Sequence, residues 1–446
     1  MAVSMQAHTR VAGDQPTAAA HVRPRFAVIT IGCKVNQCDS DGLVRQAEAA
    51  GWQHVDNPAK AHVTIVNTCT VTQHAEATAR KTIRQIRGSN PAGVIIVAGC
   101  AARVRAEMFA RMAEVDEVTP AVGSEEIVAL MKAAVGRKEA AVVVETPNEH
   151  PPAVLRRGRG RTRVFVKVQD GCNQFCGYCA VPYARGMPRS VPIAALLEEI
   201  ERLQQAGVRE VVVSGINLAL YRTADGNGLP ALLRAVAGTG VPRVRVSSLE
   251  ASAVTPELLR VFADHPNLMP HLHMPLQSGS AHVLSHIRRP VSPAMVLRAA
   301  EAWYAAQARG TITTDVIVGL PGETAEDVDA TIMALEHMQA AKAHVFVFSE
   351  RPGTFAASLR APATPAIELQ RRKRLVLAEA ERIAARCRER FVGTNAAVLI
   401  ERAHGDVFEG LTDNYLRVRT SDVRAARGAI VTLTLDNNIT RFVTPA

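Results

Sequence analysis

Residues 170–186 read DGCNQFCGYCAVPYARG, and the C-x3-C-x2-C run of Cys172, Cys176 and Cys179 within them decides how the rest of the chain is read. Three thiolates inside eight residues can converge on one soft metal centre. A structural zinc site closes with four ligands, drawn from paired C-x2-C units or Cys/His sets. Here the nearest histidines are His150 and His265, so no local fourth ligand offers itself. A disulfide framework belongs to small, cysteine-dense secreted chains, and eight cysteines in 446 residues are not dense. An iron–sulfur cubane held at three corners fits the count better than zinc. It keeps one iron open, and an open iron can bind a small molecule.

Outward from this loop the chain repeats strand then helix. Strand candidates VFVKVQ, EVVVSGIN, VRVSSLE, HLHMPLQ, ITTDVIVGLP and HVFVFS start at Val164. Helical stretches lie between them near 192–206, 228–238, 255–264, 292–309 and 324–340, and a long helix near 366–391 follows. Short right-handed crossovers make the six strands parallel, which predicts an open (β/α)6 partial barrel over 164–391. The first strand ends just before Cys172, on the carboxyl face where barrel active sites form. The cysteine spacing resembles that of radical S-adenosylmethionine (SAM) enzymes. The resemblance implies that the open iron chelates the amino and carboxylate groups of SAM, and that reduction cleaves SAM to a 5′-deoxyadenosyl radical. The protein then holds and tunes the cofactor. Other strand ends bring Gly215, Asn217, Ser247, Ser248, Glu250, Gln277, Ser278, Asp315, Gly322 and Glu323 to the same mouth. Each alone is ordinary loop or cap chemistry, as Thr255 and Thr324 before helices plainly are. As a set, Gly215, Asn217, Ser248, Glu250, Gln277 and Asp315 are expected to contact SAM. Tyr178, between two ligand cysteines, packs either on the adenine or on the barrel wall.

The N-terminal region holds a second triplet hidden by distance. RFAVITIGC ends at Cys33, AHVTIVNTC at Cys69 and AGVIIVAGC at Cys100. Each is a β-branched apolar run of buried-strand type, and helical segments follow near 39–50, 73–87 and 101–111. That alternation predicts an N-terminal parallel α/β domain over 25–138. All three cysteines fall at carboxyl ends of strands, the side where open α/β sheets bind ligands. A single such cysteine is ordinarily a buried small hydrophobe. Three at one register point to a second three-cysteine iron–sulfur cluster. Cys38 and Cys387 fit neither set and are read as ordinary cysteines.

The remaining segments are less specific. Net charge is +10, which favours a polyanionic partner, although simple solubility explains it as well. Aromatic content of 4% argues against binding nucleic acid mainly by base stacking. No apolar run reaches membrane-spanning length, so no membrane association is expected. Residues 1–24 lack the apolar core of a secretory signal and read as a disordered leader. Free cysteines without such a signal point to the reducing cytoplasm. Residues 139–163 read as a linker in which Arg156, Arg157, Arg159, Arg161 and Arg163 either contact phosphate or are merely solvated. The helix near 366–391 carries eight Arg or Lys against four glutamates and faces either RNA or water. After Gly393 the pattern turns to period two: NAAVLIE, DVFEGLT, NYLRVRT, AIVTLTLD and TRFVTP predict a small antiparallel β-barrel of OB-like type over 392–446.

Together GCKVNQ, NTCTVT, AGC, DGCNQFCGYC, PLQSGS, GLPGET and EGLTDNY resemble the radical SAM methylthiotransferases over nearly the whole chain from about residue 25. GCKVNQ, NTCTVT and ITTDVIVG are most similar to the type acting on threonylcarbamoyladenosine in tRNA. Small departures are Cys38, where an aromatic or other residue is common, and Phe348, where tyrosine is often found. The resemblance implies two 4Fe-4S clusters, one on Cys33, Cys69 and Cys100 and one on Cys172, Cys176 and Cys179, with SAM as cosubstrate. It implies a C-terminal TRAM domain that binds RNA, tRNA as partner, a reducing electron donor and a monomer. The expected product is the 2-methylthio form of N6-threonylcarbamoyladenosine at tRNA position 37. Carbon 2 of adenine has no leaving group and an inert C–H bond, so radical chemistry is what the reaction requires. The alternatives are a methylthiotransferase acting on isopentenyladenosine or on a ribosomal protein, and a non-catalytic iron–sulfur RNA-binding protein.

Overall fold

In the computed structural model, which describes residues 23–70, 72–120, 124–138, 162–359, 364–421, 425–436 and 440–442, the N-terminal apolar runs form one sheet. Its strands are β1 (Arg25–Thr30), β2 (Gln53–His54), β3 (Val63–Thr68), β4 (Val94–Gly99) and β5 (Glu117–Val118). All pair in parallel, in the order β2-β1-β3-β4-β5. Consecutive residues of β3 and β4 point to opposite faces. Ile65 and Ile96 therefore join one apolar layer with Phe26 and Met131, while Val66 and Val97 join another with Ile83 and Phe109. Burial on both faces is why these strands read as continuous apolar runs. Helices α1 (Lys34–Ala49), α2 (Gln73–Ser89) and α3 (Cys100–Val104) follow β1, β3 and β4. The first begins at Lys34 rather than near 39, because the chain turns into helix directly at Cys33, its N-cap residue. The leader 1–24 lies outside the described residues except for its last two, and the linker 139–163 except for Thr162 and Arg163.

The central region opens with β6 (Arg163–Lys167). A short antiparallel pair follows, β7 (Gln169–Asp170) with β8 (Arg189–Ser190). Then come β9 (Glu210–Ser214), β10 (Arg243–Val246), β11 (His271–His273), β12 (Thr311–Val318) and β13 (Lys342–Val347). Two parallel ladders, β6-β9-β10 and β11-β12-β13, are joined by parallel bridges at Val244–Leu268 and Ser248–His273. The result is the expected six-strand order. Among the described residues no ladder joins β6 to β13, so the barrel is open along that side. Helices Ile193–Gln205, Leu229–Gly238, Pro256–Asp264, Pro293–Ala306 and Ala325–His337 contribute the other half of the core around Leu196, Leu232, Phe262, Trp303 and Leu335. Thr255 and Thr324 cap their helices by accepting from the Leu258 and Asp327 N–H groups. No helix of the described residues is long and apolar enough to cross a membrane.

The C-terminal strands are β14 (Asn395–His404), β15 (Val407–Thr412), β16 (Arg417–Thr420), β17 (Ile430–Thr434) and β18 (Thr440–Phe442). They form an antiparallel sheet in the order β17-β14-β15-β16-β18. The turn after β15 enters the amino end of the partial barrel. Arg243 donates to the carbonyls of Leu411 (3.3 Å) and Thr412 (2.9 Å), and Arg245 to those of Thr412 (3.2 Å) and Asp413 (3.0 Å). The Thr311 hydroxyl donates to the Asn414 carbonyl. The Tyr415 ring stacks on His271 with centroids 4.1 Å apart. Beneath them Glu210, fully buried, accepts from Arg245 Nε at 3.0 Å. Arg243 Nε approaches its other oxygen to 2.8 Å off the hydrogen-bond line, an ion pair without a hydrogen bond. Arg163, expected in the linker as either a phosphate contact or a solvated side chain, instead sits in β6 paired with Glu401 at 2.6 Å. It is turned inward because strand alternation puts it on the face with Glu210. Glu210 is shared by Arg243 and Arg245, Glu401 by Arg163 and Arg417, and the carbonyls of 411–413 accept from the Nη groups of Arg243 and Arg245.

The C-terminal sheet therefore closes the barrel floor. Arg245→Ala breaks a buried charged contact, a change that costs roughly 3–5 kcal/mol, so a lowered thermal unfolding midpoint is expected. Removal of residues 393–446 is expected to lower it further. A melt of Arg245→Ala that superimposes on that of the parent protein would contradict this account of the floor.

Candidate active site between two cysteine triplets

The pairing of β7 with β8 closes residues 171–188 into a loop above the carboxyl end of the barrel. Gly171 adopts φ 76°, and a Cβ there would lie 2.2 Å from the Met187 carbonyl, so only glycine fits. The Cys172 N–H donates to the Gly186 carbonyl at 3.0 Å. Gly177 donates to the Ile287 carbonyl and accepts from the Ala356 N–H, both at 2.7 Å. The loop is thus stitched to two other loops. Cys176 is buried, and Cys172 and Cys179 are half-buried. The thiols feel one another's charge, and burial pushes Cys179 up to about 12 and raises Cys176.

Arg289, buried, lies against this triplet. Its Nη1 is 3.9 Å from Cys176 Sγ and 3.4 Å from the Tyr178 hydroxyl, and its Nη2 donates to Glu250 Oε2 at 2.9 Å and to the Pro275 carbonyl at 3.1 Å. Sequence reasoning missed it. RRP after a short helix carries no period and no motif.

The second triplet is assembled by the strand ends. Cys33 caps α1, Cys69 follows β3, and Cys100 begins α3. A Cβ on Gly32 would lie 2.6 Å from Cys69 Cβ, so the first and second strand ends touch. Asn36 knits them together. Its Nδ2 donates to the Thr68 carbonyl at 2.9 Å, and its Oδ1 accepts from Cys33 Sγ at 3.4 Å. Burial pushes Cys100 up to about 12, and Cys69 and Cys33 add to the shift. None of the eight cysteines is in a disulfide.

One residue joins the triplets. Arg185 is 1% exposed and ends the helix Val181–Arg185, which begins two residues past Cys179. Its Nη1 donates to both Asp170 oxygens (3.0 and 3.1 Å), and its Nη2 donates to Asn36 Oδ1 (2.9 Å) and Asp39 Oδ2 (2.8 Å). Its positive charge also opposes the upward shift that burial gives the Cys100 thiol. Lys167 Nζ completes the cluster, 2.5 Å from Asp39 Oδ1 and 3.2 Å from Asp170 Oδ2. Cys38, in α1, meets the Phe165 carbonyl at 3.6 Å on the same seam. Farther along, Arg351 Nη1 bonds Glu76 at 2.6 Å and the Gln73 N–H donates to Ser349 Oγ at 3.0 Å. The cysteine loop and the N-terminal strand ends therefore meet along one seam.

The donor set suits clusters. Among the described residues no three His, Cys, Asp or Glu side chains close on a single ion. A lone zinc draws its sulfurs to about 2.3 Å from one point, whereas a cubane places its three cysteines on different irons. Thiols raised by burial become thiolates only beside a strong positive charge. Arg185 and Arg289 each supply part of that charge to one triplet, and iron held by the cysteines would supply the rest.

The remaining predicted residues have definite positions. A Cβ on Gly215 would crowd Leu218 and Gln169. Asn217 caps a short turn by accepting from the Ala219 N–H, and its own N–H donates to Gln169. Ser248 pairs with His273 across the join of the ladders. Gln277, at φ 69°, pairs with Val316. Asp315 Oδ2 meets His273 Nε2 at 3.2 Å. Burial raises Asp315, but that bond and nearby cations outweigh it and hold the carboxyl below its usual value. Tyr178 packs on Val283, Leu284, Ile287 and Leu320, which is the barrel-wall alternative. Glu323 is engaged by the Gly319 N–H and by Arg372, a structural role. Of the six expected SAM contacts, Glu250 is joined to the triplet through Arg289.

Comparison with known proteins bears on both halves of this site. Residues 166–335 match the Radical SAM superfamily, and residues 25–120 match the uncharacterized protein family UPF0004. The threonylcarbamoyladenosine tRNA methylthiotransferase MtaB of Chlamydia pneumoniae is 33% identical over 402 residues, covering 90% of this chain and 92% of its own. The tRNA-2-methylthio-N(6)-dimethylallyladenosine synthase of Nitratidesulfovibrio vulgaris strain DP4 is 34% identical, covering 84% and 86%. The fold is shared with the radical S-adenosylmethionine methyltransferase TsrM from Kitasatospora setae, at 14% identity and a TM-score of 0.53 over 72% of each chain.

The Arg185 cluster makes a pH prediction. Burial raises the Asp170 carboxyl, but Arg185 and Lys167 outweigh it and lower it below its usual value. A depressed folded-state pKa contributes stability that is complete above the unfolded value of about 4 and is lost as pH falls through the folded one. Thermal midpoints are expected to drop below about pH 4. Asp170→Asn, which leaves Arg185 underpaired, is expected to melt lower at neutral pH and to show a shallower acid decline. Equal acid slopes for the two proteins would count against Asp170 as the acid-sensitive group.

Proposed function

The chain belongs to the radical SAM methylthiotransferase family, and from that premise we propose that it transfers a methylthio group to carbon 2 of N6-threonylcarbamoyladenosine at tRNA position 37. The observation that carries this reading is the pair of three-cysteine sets held on either side of one buried guanidinium. Cys172, Cys176 and Cys179 would hold one 4Fe-4S cluster with SAM on its open iron, and Cys33, Cys69 and Cys100 the second. When bound, these groups supply a radical able to break the inert carbon 2 bond and the sulfur of the product.

The chain's own residues then have assignable tasks. Arg289 fixes Glu250 beside Cys176 and offsets negative charge at that triplet. Arg185 and Arg351 lock the N-terminal sheet onto the barrel, so the reacting base is held between fixed walls. Phe175 and Tyr183 stand half-exposed and edge to face, 5.7 Å apart, on the loop that carries the first triplet. There they would accept unstacked bases of an RNA loop. The proposed division is 25–138 for the auxiliary cluster, 164–391 for radical formation and 392–446 as the TRAM part. The reading carries with it a cytoplasmic setting, a reducing electron donor and a monomer.

Nucleoside analysis of tRNA from strains with and without the gene tests the reaction. Loss of the methylthio form of threonylcarbamoyladenosine is the expected result, and its persistence would refute the assignment. With purified protein, Cys176→Ala is expected to abolish 5′-deoxyadenosine formation from SAM. Cys69→Ala should retain that cleavage yet make no methylthio product. Full product formation by Cys69→Ala would remove the second cluster from the reading.

A further inference from the structure

A base that loses hydrogen to a radical made at one triplet and gains sulfur from the other must be held along a wall that reaches both. β13 reaches both. Past its carboxyl end the chain meets the segment that follows Cys69: Ser349 Oγ accepts from the Gln73 N–H at 3.0 Å, and Arg351 Nη1 donates to the Thr70 carbonyl at 3.4 Å. Along its length β13 pairs with β12, with Phe346 opposite Ile317. Ile317 packs on an apolar group that includes Leu284 and Ile287. Phe348 packs on the same group, and so does Tyr178, which lies between Cys176 and Cys179.

Strand alternation sorts the side chains of β13 onto two faces. Ala343, Val345 and Val347 pack into the core formed with the outer helices. His344 and Phe346 therefore face the barrel interior. The His344 ring lies 6.1 Å from that of His273, which is on the interior face of β11 and meets Asp315 at 3.2 Å. A large apolar side chain on an inward face is ordinarily covered. Phe348 is half-buried against its apolar group, but Phe346 is 41% exposed. An inward ring that the chain leaves open offers its face to something that enters the barrel. It stands on a strand and not on a loop, so the ladder with β12 fixes its position. A base drawn out of an RNA stack loses its stacking partners, and an aromatic face inside the protein replaces one of them.

We propose that Phe346 is the stacking face for the target adenine, a substrate-binding residue separate from the Phe175–Tyr183 pair on the cysteine loop. The inference rests on the reading of the preceding subsection. Its test is equilibrium binding of the full-length, cluster-loaded protein to two RNA stem-loops that differ only at the target position, one carrying adenosine and the other an abasic ribose. The parent protein is expected to bind the adenosine loop more tightly. Phe346→Ala, at the parent's iron content, should cut that preference about tenfold, the scale of one base stacked on an aromatic ring, and should bind the abasic loop as the parent does. Phe346→Trp should keep the preference. Phe346→Leu, which retains an apolar side chain but no ring, should lose most of it. If Phe346→Ala tells the two loops apart as the parent does, the stacking role is wrong while the reaction stands. A raised KM for SAM with the preference retained would put the ring on the cosubstrate and overturn the proposal. Equal affinity of the parent for both loops would overturn it too. If the parent binds neither loop, the tRNA reading fails and the stacking role with it.

Discussion

A guanidinium removed from water must have its charge matched and its donors met, and Arg185 satisfies this only when two parts of the chain come together. Burying an unpaired ion costs several kcal/mol even after relaxation. Asp170 lies two residues before Cys172, while Asn36 and Asp39 lie just after Cys33. Satisfying Arg185 therefore sets how far apart the two cysteine sets stand. Were either side withdrawn, the other would retain a buried charge without its partner. Distance between the triplets is thus a condition of stability and not merely of catalysis.

The same device recurs at each seam. Arg351 meets Glu76 between the N-terminal sheet and the barrel, Arg289 links Cys176 of the cysteine loop to Glu250 of the barrel, and Arg243 and Arg245, beside Glu210, bond the carbonyls of 411–413 at the floor. Apolar burial is distributed differently. The two clusters of the N-terminal sheet stay wholly within it, and the large barrel cluster stays within the barrel. At the N-terminal seam non-directional burial holds each layer together while directional charged bonds set how the layers face one another, whereas at the C-terminal seam Ala341, Cys387 and Phe391 also pack with Val398 and Leu433. Arginine suits this use because its planar fork makes several bonds at once and keeps its charge when buried.

This division explains what was legible in the sequence. Strand runs, helix periods and cysteine spacings are local, and most lie close to where the sequence places them, although the first helix starts five residues earlier and the helix Ser124–Lys138 carries too weak a period to be read. Arg185 bonds Asn36 across 149 residues, and Arg351 bonds Glu76 across 275. Nothing in YARG or SERPG announces such partners. Asn217 illustrates a different difficulty. An amide at a strand end looks the same whether it caps a turn or meets a ligand, and here its oxygen is occupied by the Ala219 N–H. Arg163 looked like one of a basic run, yet the beginning of β6 turned it toward Glu210 and Glu401.

Charge along the long helix Ala366–Glu389 follows from the same reasoning. Its arginines suggested either RNA or water, but many face carboxylates of this chain. Arg371 and Arg372 meet Glu368, Arg382 meets Glu379 and Glu336, Arg386 meets Glu336, and Arg388 meets Glu381. Arg372 is buried and also bonds Glu323, so a phosphate could not take it without leaving that carboxylate unpaired. The others lie at the surface, where ion pairs contribute little and are screened by salt. A polyanion arriving there would exchange one weak pair for another. Net positive charge of the whole chain therefore overstates the attraction this helix can offer. Sites where no internal carboxylate competes are where a negative group gains most.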